Sequence, residues 1–249
     1  MSAEDNAESG GANPQELFVT THWSVVLSAG NPNSPKAAAA LAELCQTYWY
    51  PLYVFARRHG NGHDDAMDLT QSFFEKLLTG NAISTADRNR GRFRNFLLAA
   101  FKNFTANEWK RSKRLKRGGG ADLISLDEET ADERYRHEPV DTAATPDEEY
   151  DRNWAVVLLE RALAKLEEEY PAKKDMFTAL KIFLMQDGSE KEYAKSGERR
   201  GMSTAAVKMQ VSRMRKRFRE VLCSEVAHTV SKAEDVDQEL QELLERWGF

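Results

Sequence analysis

Apolar residues recur at three- and four-residue intervals along most of this chain, and sustained apolar–polar alternation occurs nowhere. That pattern predicts helices and no sheet. It is sharpest near the C-terminus. Val207, Val211, Met214, Phe218 and Leu222 fall on one side of a single helical stretch, while Lys208, Ser212, Arg215 and Arg219 fall on the other. Ser203 stands where that helix needs an N-cap. Gly201 suits the left-handed residue that ends a preceding helix. With residues 190–199 as the preceding helix, the segment has the plan of a helix-turn-helix: a short helix, a glycine turn and a basic second helix.

The same spacing predicts helices at about 17–29, 36–48, 50–59, 64–79 and 90–114, and then at about 147–167, 171–187, 190–199, 203–228 and 234–246. Asn31-Pro32-Asn33-Ser34-Pro35, Gly60-Asn61-Gly62, Gly80-Asn81 and Gly118-Gly119-Gly120 punctuate them. The helix at 64–79 turns Leu69, Phe73, Leu77 and Leu78 inward and sets Asp68, Gln71 and Glu75 at helical spacing with Phe74 nearby. The helix at 90–114 sets Phe93, Phe96, Phe101, Phe104 and Trp109 among cations. That spacing suits a core, and it equally suits aromatic faces stacked on unpaired bases. The last helix gathers Val236, Leu240, Leu243 and Leu244 on one side.

The expected architecture is all-α, with two small helical domains joined by an acidic linker and a helix-turn-helix in the second. Residues 1–16 read as a disordered N-terminus, 17–117 as the first domain, 118–146 as the linker, 147–228 as the second domain and 229–249 as a C-terminal helical extension.

Charge sharpens this division. The 249-residue chain carries a net charge of −5, which argues against a protein that coats DNA indiscriminately. Yet residues 88–117 hold eleven Lys and Arg against Glu108 alone, and residues 191–222 hold ten against Glu192, Glu198 and Glu220. Between them, residues 122–151 hold twelve Asp and Glu against Arg134 and Arg136. Two separated cationic stretches suggest two separate contacts with nucleic acid; solvated helix faces are the plainer alternative. The acidic stretch resembles nucleic acid in charge. It suits a cationic channel in a partner as well as it suits a solubilising tether.

Composition excludes several other classes. No apolar run approaches the ~20 residues of a membrane span, and the polar, acidic N-terminus does not read as a secretory signal. Cys45 and Cys223 form no close pair, as expected of reduced cysteines in a cytoplasmic protein. There is no phosphate loop and no nucleophile elbow, and no cofactor is expected. His59, His63, Asp64 and Asp65 form the one cluster with a metal-ligand look and would carry a metal-dependent hydrolase, but Gly60 and Gly62 break the helix that would align the two histidines. A stand-alone helix-turn-helix regulator with a ligand-sensing N-terminal domain is a further alternative.

Several motifs also resemble one family. Tyr193-Ala194, Gly201-Met202-Ser203, Val207-Lys208 and Ser212-Arg213-x-Arg215-Lys216-Arg217 resemble the promoter-reading domain of extracytoplasmic-function sigma factors of the sigma-70 family. Upstream, Asp65-Ala66-Met67-Asp68-Leu69-Thr70-Gln71-Ser72-Phe73-Phe74 resembles the segment by which those factors grip core RNA polymerase. Arg92-Phe93-Arg94-Asn95-Phe96-Leu97, with Asn103 and Lys110-Arg111-x-Lys113-Arg114, resembles the promoter-melting segment. The order is the family's, and the resemblance spans roughly residues 35–225.

The resemblance implies a non-enzymatic transcription-initiation factor whose partners are core RNA polymerase, promoter DNA and, as a further candidate, an anti-sigma protein. It implies polymerase contacts at Asp68, Leu69, Gln71 and Phe74. It implies opened-strand contacts at Asn103, Asn107, Trp109, Lys110, Arg111 and Arg114. In the helix-turn-helix, Thr204, Ala205, Lys208 and Met209 would approach bases, and Ser212, Arg213, Arg215 and Arg217 would meet phosphates. The chain departs from the family at Ser196 and Arg200, where apolar residues are usual, and at Gly197, where Ala is usual. Those departures predict a weaker first helix.

Overall fold

The computed structural model describes residues 35–79, 92–112, 128–137, 143–230 and 234–246. The predicted helix at 17–29, the N-terminal residues 1–16 and Arg114 lie outside the described residues. Among the described residues there are nine α-helices, two short 3-10 turns and no strand, so the all-α expectation is met. The helices are α1 (Pro35–Arg58), α2 (His63–Thr79), α3 (Phe93–Ser112), α4 (Glu128–His137), α5 (Pro146–Glu168), α6 (Lys174–Leu180), α7 (Glu190–Glu198), α8 (Thr204–Ala227) and α9 (Asp235–Arg246).

Four features differ from the sequence expectation. The helices expected at 36–48 and 50–59 are one helix, α1, with Pro51 inside it. A proline in a helix interior removes a hydrogen bond and costs about 3 kcal/mol. Here Leu44, Tyr48, Leu52 and Phe55 form one buried stripe that runs straight through position 51, so packing on both sides of the proline outweighs the break. The helix expected at 171–187 is instead a 3-10 turn at Pro171–Lys173, the short α6 and a second 3-10 turn at Lys181–Phe183. Phe177, Leu180 and Phe183 are all buried at intervals of three, which is the repeat of the tighter helix.

The third difference lies in the acidic linker, which contains α4. Asp132 of α4 is 2.6 Å from Arg57 of α1 and 2.5 Å from Arg136, and the Arg57 guanidinium lies 4.5 Å from the Tyr135 ring centroid. Burial works against the Asp132 charge, but Arg57 and Arg136 hold its carboxyl below the usual range. Only Ala131 and Tyr135 give this helix an apolar side, so periodicity carries no signal for it.

The fourth difference is the packing of the two halves. α1 lies along α5, α5 packs on α8, and α8 receives α7 and α9. Tyr48, Leu52 and Tyr53 of α1 and Tyr150, Trp154 and Leu158 of α5 belong to a single buried cluster that continues to Val207, Met214 and Val226 of α8. The described parts of the two expected domains therefore share one core. Glu225 of α8, itself buried, seals the seam through ion pairs with Arg161 (3.0 Å) and Lys165 of α5. Burial raises the Glu225 carboxyl's pKa, but these two cations outweigh it and the net shift is downward. Among the described residues no helix is long and apolar enough to cross a membrane.

Candidate nucleic-acid interface

The segment with the expected helix-turn-helix plan is built from two capped helices. Ser189 caps α7, accepting from the Glu192 N–H while the Glu192 carboxylate accepts from the Ser189 N–H (2.7 Å). Ser203 caps α8, its Oγ accepting from the Ala206 N–H (3.2 Å). Each reciprocal or single cap satisfies helix-end donors that would otherwise go unpaired. Between the helices Gly201 takes φ +64°, as its position predicted.

Gly197 has a role the sequence did not disclose. The Met202 N–H donates to its carbonyl (3.0 Å), and a Cβ at position 197 would sit 2.5 Å from the Met202 carbonyl oxygen. The turn closes onto bare backbone. The two polar departures are also accommodated, because Arg200 Nη1 donates to the Ser196 carbonyl (2.8 Å). Gly197→Ala, which restores the residue usual in the resembled family, is expected to destabilise the protein by about 1–3 kcal/mol through the forced backbone shift. Thermal unfolding followed by circular dichroism would show it; a raised midpoint would mean that helix propensity, not the close approach, governs this position.

Val207, Val211, Met214, Phe218 and Leu222 of α8 are buried, as their spacing predicted. Ala205, Lys208, Met209, Ser212 and Arg213 are exposed, with Met209 at 52%, and Thr204 is half-buried beside them. Lys208 pairs with Glu190 of α7, also exposed. Arg215 and Arg217, for which the resemblance implied phosphate contacts, also have partners within the chain. Arg215 donates to the carbonyls of Phe183 (2.8 Å) and Gln186 (2.9 Å) and lies 2.6 Å from Asp187. Arg217 meets Glu169 (2.7 Å) and Glu220 (2.8 Å). Both cations fasten α8 to its own scaffold. Lys216 and Arg219, which the sequence reading left out of the site, are exposed on α8.

Apart from this segment, α2 and α3 form an open groove of about 960 Å³ with the turn after α1, lined among others by Asp65, Asp68, Leu69, Lys102, Phe104 and Trp109. It unites residues the sequence assigned to different tasks: Asp68 and Leu69 to polymerase, Trp109 to the opened strand. Asp68 is exposed, and Leu69 and Gln71 are half-buried. Phe74 is not the exposed anchor that was expected, for only 2% of it is accessible. α2 is covered by α1 on one side and α3 on another, so the adjacent positions 73 and 74 both point inward.

On α3, Phe93, Phe101 and Phe104 are buried and Phe96 is half-buried, whereas Asn103, Asn107 and Lys110 are exposed and Trp109 is 63% exposed. Arg111 lies in α3, but its side chain falls outside the described residues. Lys102 was legible as a groove residue, since 102, 106 and 109 share a helical face. The histidines do not gather ligands. His59 packs its ring on Phe55 (4.1 Å between centroids), and His63 opens α2 with Nδ1 2.9 Å from the Tyr53 hydroxyl. Among the described residues no group of three or more His, Cys, Asp or Glu is arranged to hold a metal ion.

The described chain is all-helical, with two capped helices joined by a glycine turn and, apart from them, a polar, aromatic-walled groove. A family model described as ECF sigma factor matches residues 38–224, and the chain belongs to that family. Its members are non-enzymatic transcription-initiation factors that bind core RNA polymerase and promoter DNA, and often anti-sigma factors. No curated protein and no solved structure matches the chain.

Proposed function

We propose that this protein directs core RNA polymerase to particular promoters and helps to open them, with its polymerase contact on α2 at Asp68, Leu69 and Gln71. The exposed residues Asn103, Asn107, Trp109 and Lys110 of α3, together with Arg111 and Arg114, receive the opened strand. The first turns of α8 read duplex DNA upstream. A cytoplasmic location and control by an anti-sigma protein accord with that role. The observation that carries the reading is the face of α8, where Ala205, Lys208, Met209, Ser212 and Arg213 are exposed directly behind a fully buried apolar stripe. Small and cationic side chains at the start of a capped helix suit close approach to base edges in the major groove.

The test compares Lys208→Ala with Arg213→Ala on a set of upstream promoter variants at several salt concentrations. The Lys208–Glu190 pair is exposed on both sides, so it contributes little and can exchange for a base. Lys208→Ala is expected to change which upstream bases are preferred, by about 1–3 kcal/mol of discrimination. Arg213→Ala is expected to weaken all promoters alike and to lower the salt slope by about one. A uniform loss from Lys208→Ala would reassign it to phosphate. No effect from either variant would remove α8 from DNA.

A further inference from the structure

α8 carries more positive charge than its assigned residues use. Between Thr204 and Arg219 it holds six Lys and Arg and no Asp or Glu. The structure sorts these cations into two sets. Arg215 and Arg217 border the buried stripe and reach groups of the scaffold, among them Asp187 and Glu169. Lys208, Arg213, Lys216 and Arg219 stand on the exposed side. Lys208 pairs with Glu190, whereas Lys216 and Arg219 form no ion pair with a described residue. Arg219 shares the surroundings of Cys223 with Glu220 and with Asp237 of α9. Glu220 is taken by Arg217 (2.8 Å), and Asp237 is exposed, so it holds Arg219 weakly.

Spacing and length decide what these two cations can touch. Lys208, Ser212, Lys216 and Arg219 follow one another at steps of four, four and three residues, so they form one row along the helix. The buried Val207, Val211, Met214 and Phe218 lie on the other side. At 1.5 Å per residue, Lys216 and Arg219 lie about 18 and 22 Å along the axis from Thr204. The major groove is only about 12 Å wide. A straight helix that enters it by its first turns has left the base edges by its fourth turn, and the groove is bounded there by phosphates. The far end of a groove-reading helix can then rest on the backbone.

We propose that Lys216 and Arg219 form a phosphate clamp: they hold the sugar–phosphate backbone of duplex DNA at the edge of the groove whose bases the start of α8 reads. This rests on the reading of α8 given above and adds a contact of a different kind. Lys208 discriminates between bases, whereas the clamp fixes the position of the helix on the duplex and carries no sequence preference.

The experiment uses the full chain assembled with core polymerase, a labelled promoter duplex and a series of salt concentrations. Lys216→Ala with Arg219→Ala removes two exposed charges, so melting followed by circular dichroism should not move. The slope of affinity against salt is expected to become shallower by about two. The wild type's advantage over the double variant should therefore shrink about tenfold between about 50 and 200 mM salt. The order of preferred upstream bases should stay the same. Lys173→Ala with Lys174→Ala removes the same charge from exposed positions off α8 and should leave the slope in place. An unchanged slope in the α8 double variant would overturn the clamp, and an equal change in the control would reduce it to an effect of net charge. A changed order of bases would make the two residues base readers instead. Lost affinity for core polymerase with an unchanged slope on DNA would assign them to polymerase, again overturning the clamp. If Lys208→Ala shifts the base preference while the α8 double variant does nothing, the reading of α8 stands and the clamp alone falls. If wild-type affinity is indifferent to the upstream bases, that reading falls and the clamp with it.

Discussion

Replacing Phe74 by Ala is expected to cost about 3–5 kcal/mol of folding stability, the range for deleting a buried phenyl ring from a core that cannot collapse around the gap. Phe74 is 2% exposed and meets Phe73 edge-to-face at 5.7 Å, and Phe73 in turn packs on Phe101 (5.0 Å) and Phe104 (5.6 Å). The lost ring therefore leaves a cavity between α2 and its neighbours. Against a total stability of about 5–15 kcal/mol for an ordinary domain, that is a large share. Urea unfolding followed by circular dichroism would show the midpoint fall. Asp68→Ala combined with Gln71→Ala provides the contrast. Neither residue is buried, so stability should stay within about 0.5 kcal/mol while affinity for core polymerase drops. If Phe74→Ala instead left the unfolding midpoint in place and weakened only polymerase binding, Phe74 would be a surface anchor in the working form.

Trp109→Ala is expected to lower transcription from fully duplex promoters by about 5- to 150-fold, the equivalent of the ~1–3 kcal/mol carried by one base–aromatic stack. The indole is 63% exposed at the mouth of the α2–α3 groove, so its loss should leave the fold intact. Templates already opened by mismatches should lose much less, because the unpairing that the stack offsets has been done in advance. Run-off transcription on matched and mismatched versions of one promoter makes the comparison. Equal losses on both templates would show that Trp109 serves general binding or packing.

The basic helix α8 and the turn before it were legible because every signal for them is local. A cap at Ser203, a left-handed glycine at Gly201 and an apolar stripe from Val207 to Leu222 can each be read within a few residues, and the structure has all three. The close approach at Gly197 was not legible, for the opposite reason. Its intrinsic helix propensity is local, but the carbonyl that excludes a Cβ there comes from Met202 across the turn. Phe74 went the same way: one helix viewed alone offers an inside and an outside, and only its packing among neighbouring helices puts positions 73 and 74 both inside.

Helix class, cap positions and the alternating blocks of charge were thus determined by the sequence itself, since they depend on side chains a few residues apart and on composition. Tertiary structure alone decided which distant groups the cations meet. Arg215 reaches the carbonyls of Phe183 and Gln186, and Arg217 reaches Glu169, none of them near in sequence. Arg92 and Arg94, which sit in a basic block that reads as a nucleic-acid contact, are claimed by carboxylates about 145 residues away on α9. A cation's partner is set by distance in space, and the attraction between charges says nothing about how far apart they lie along the chain.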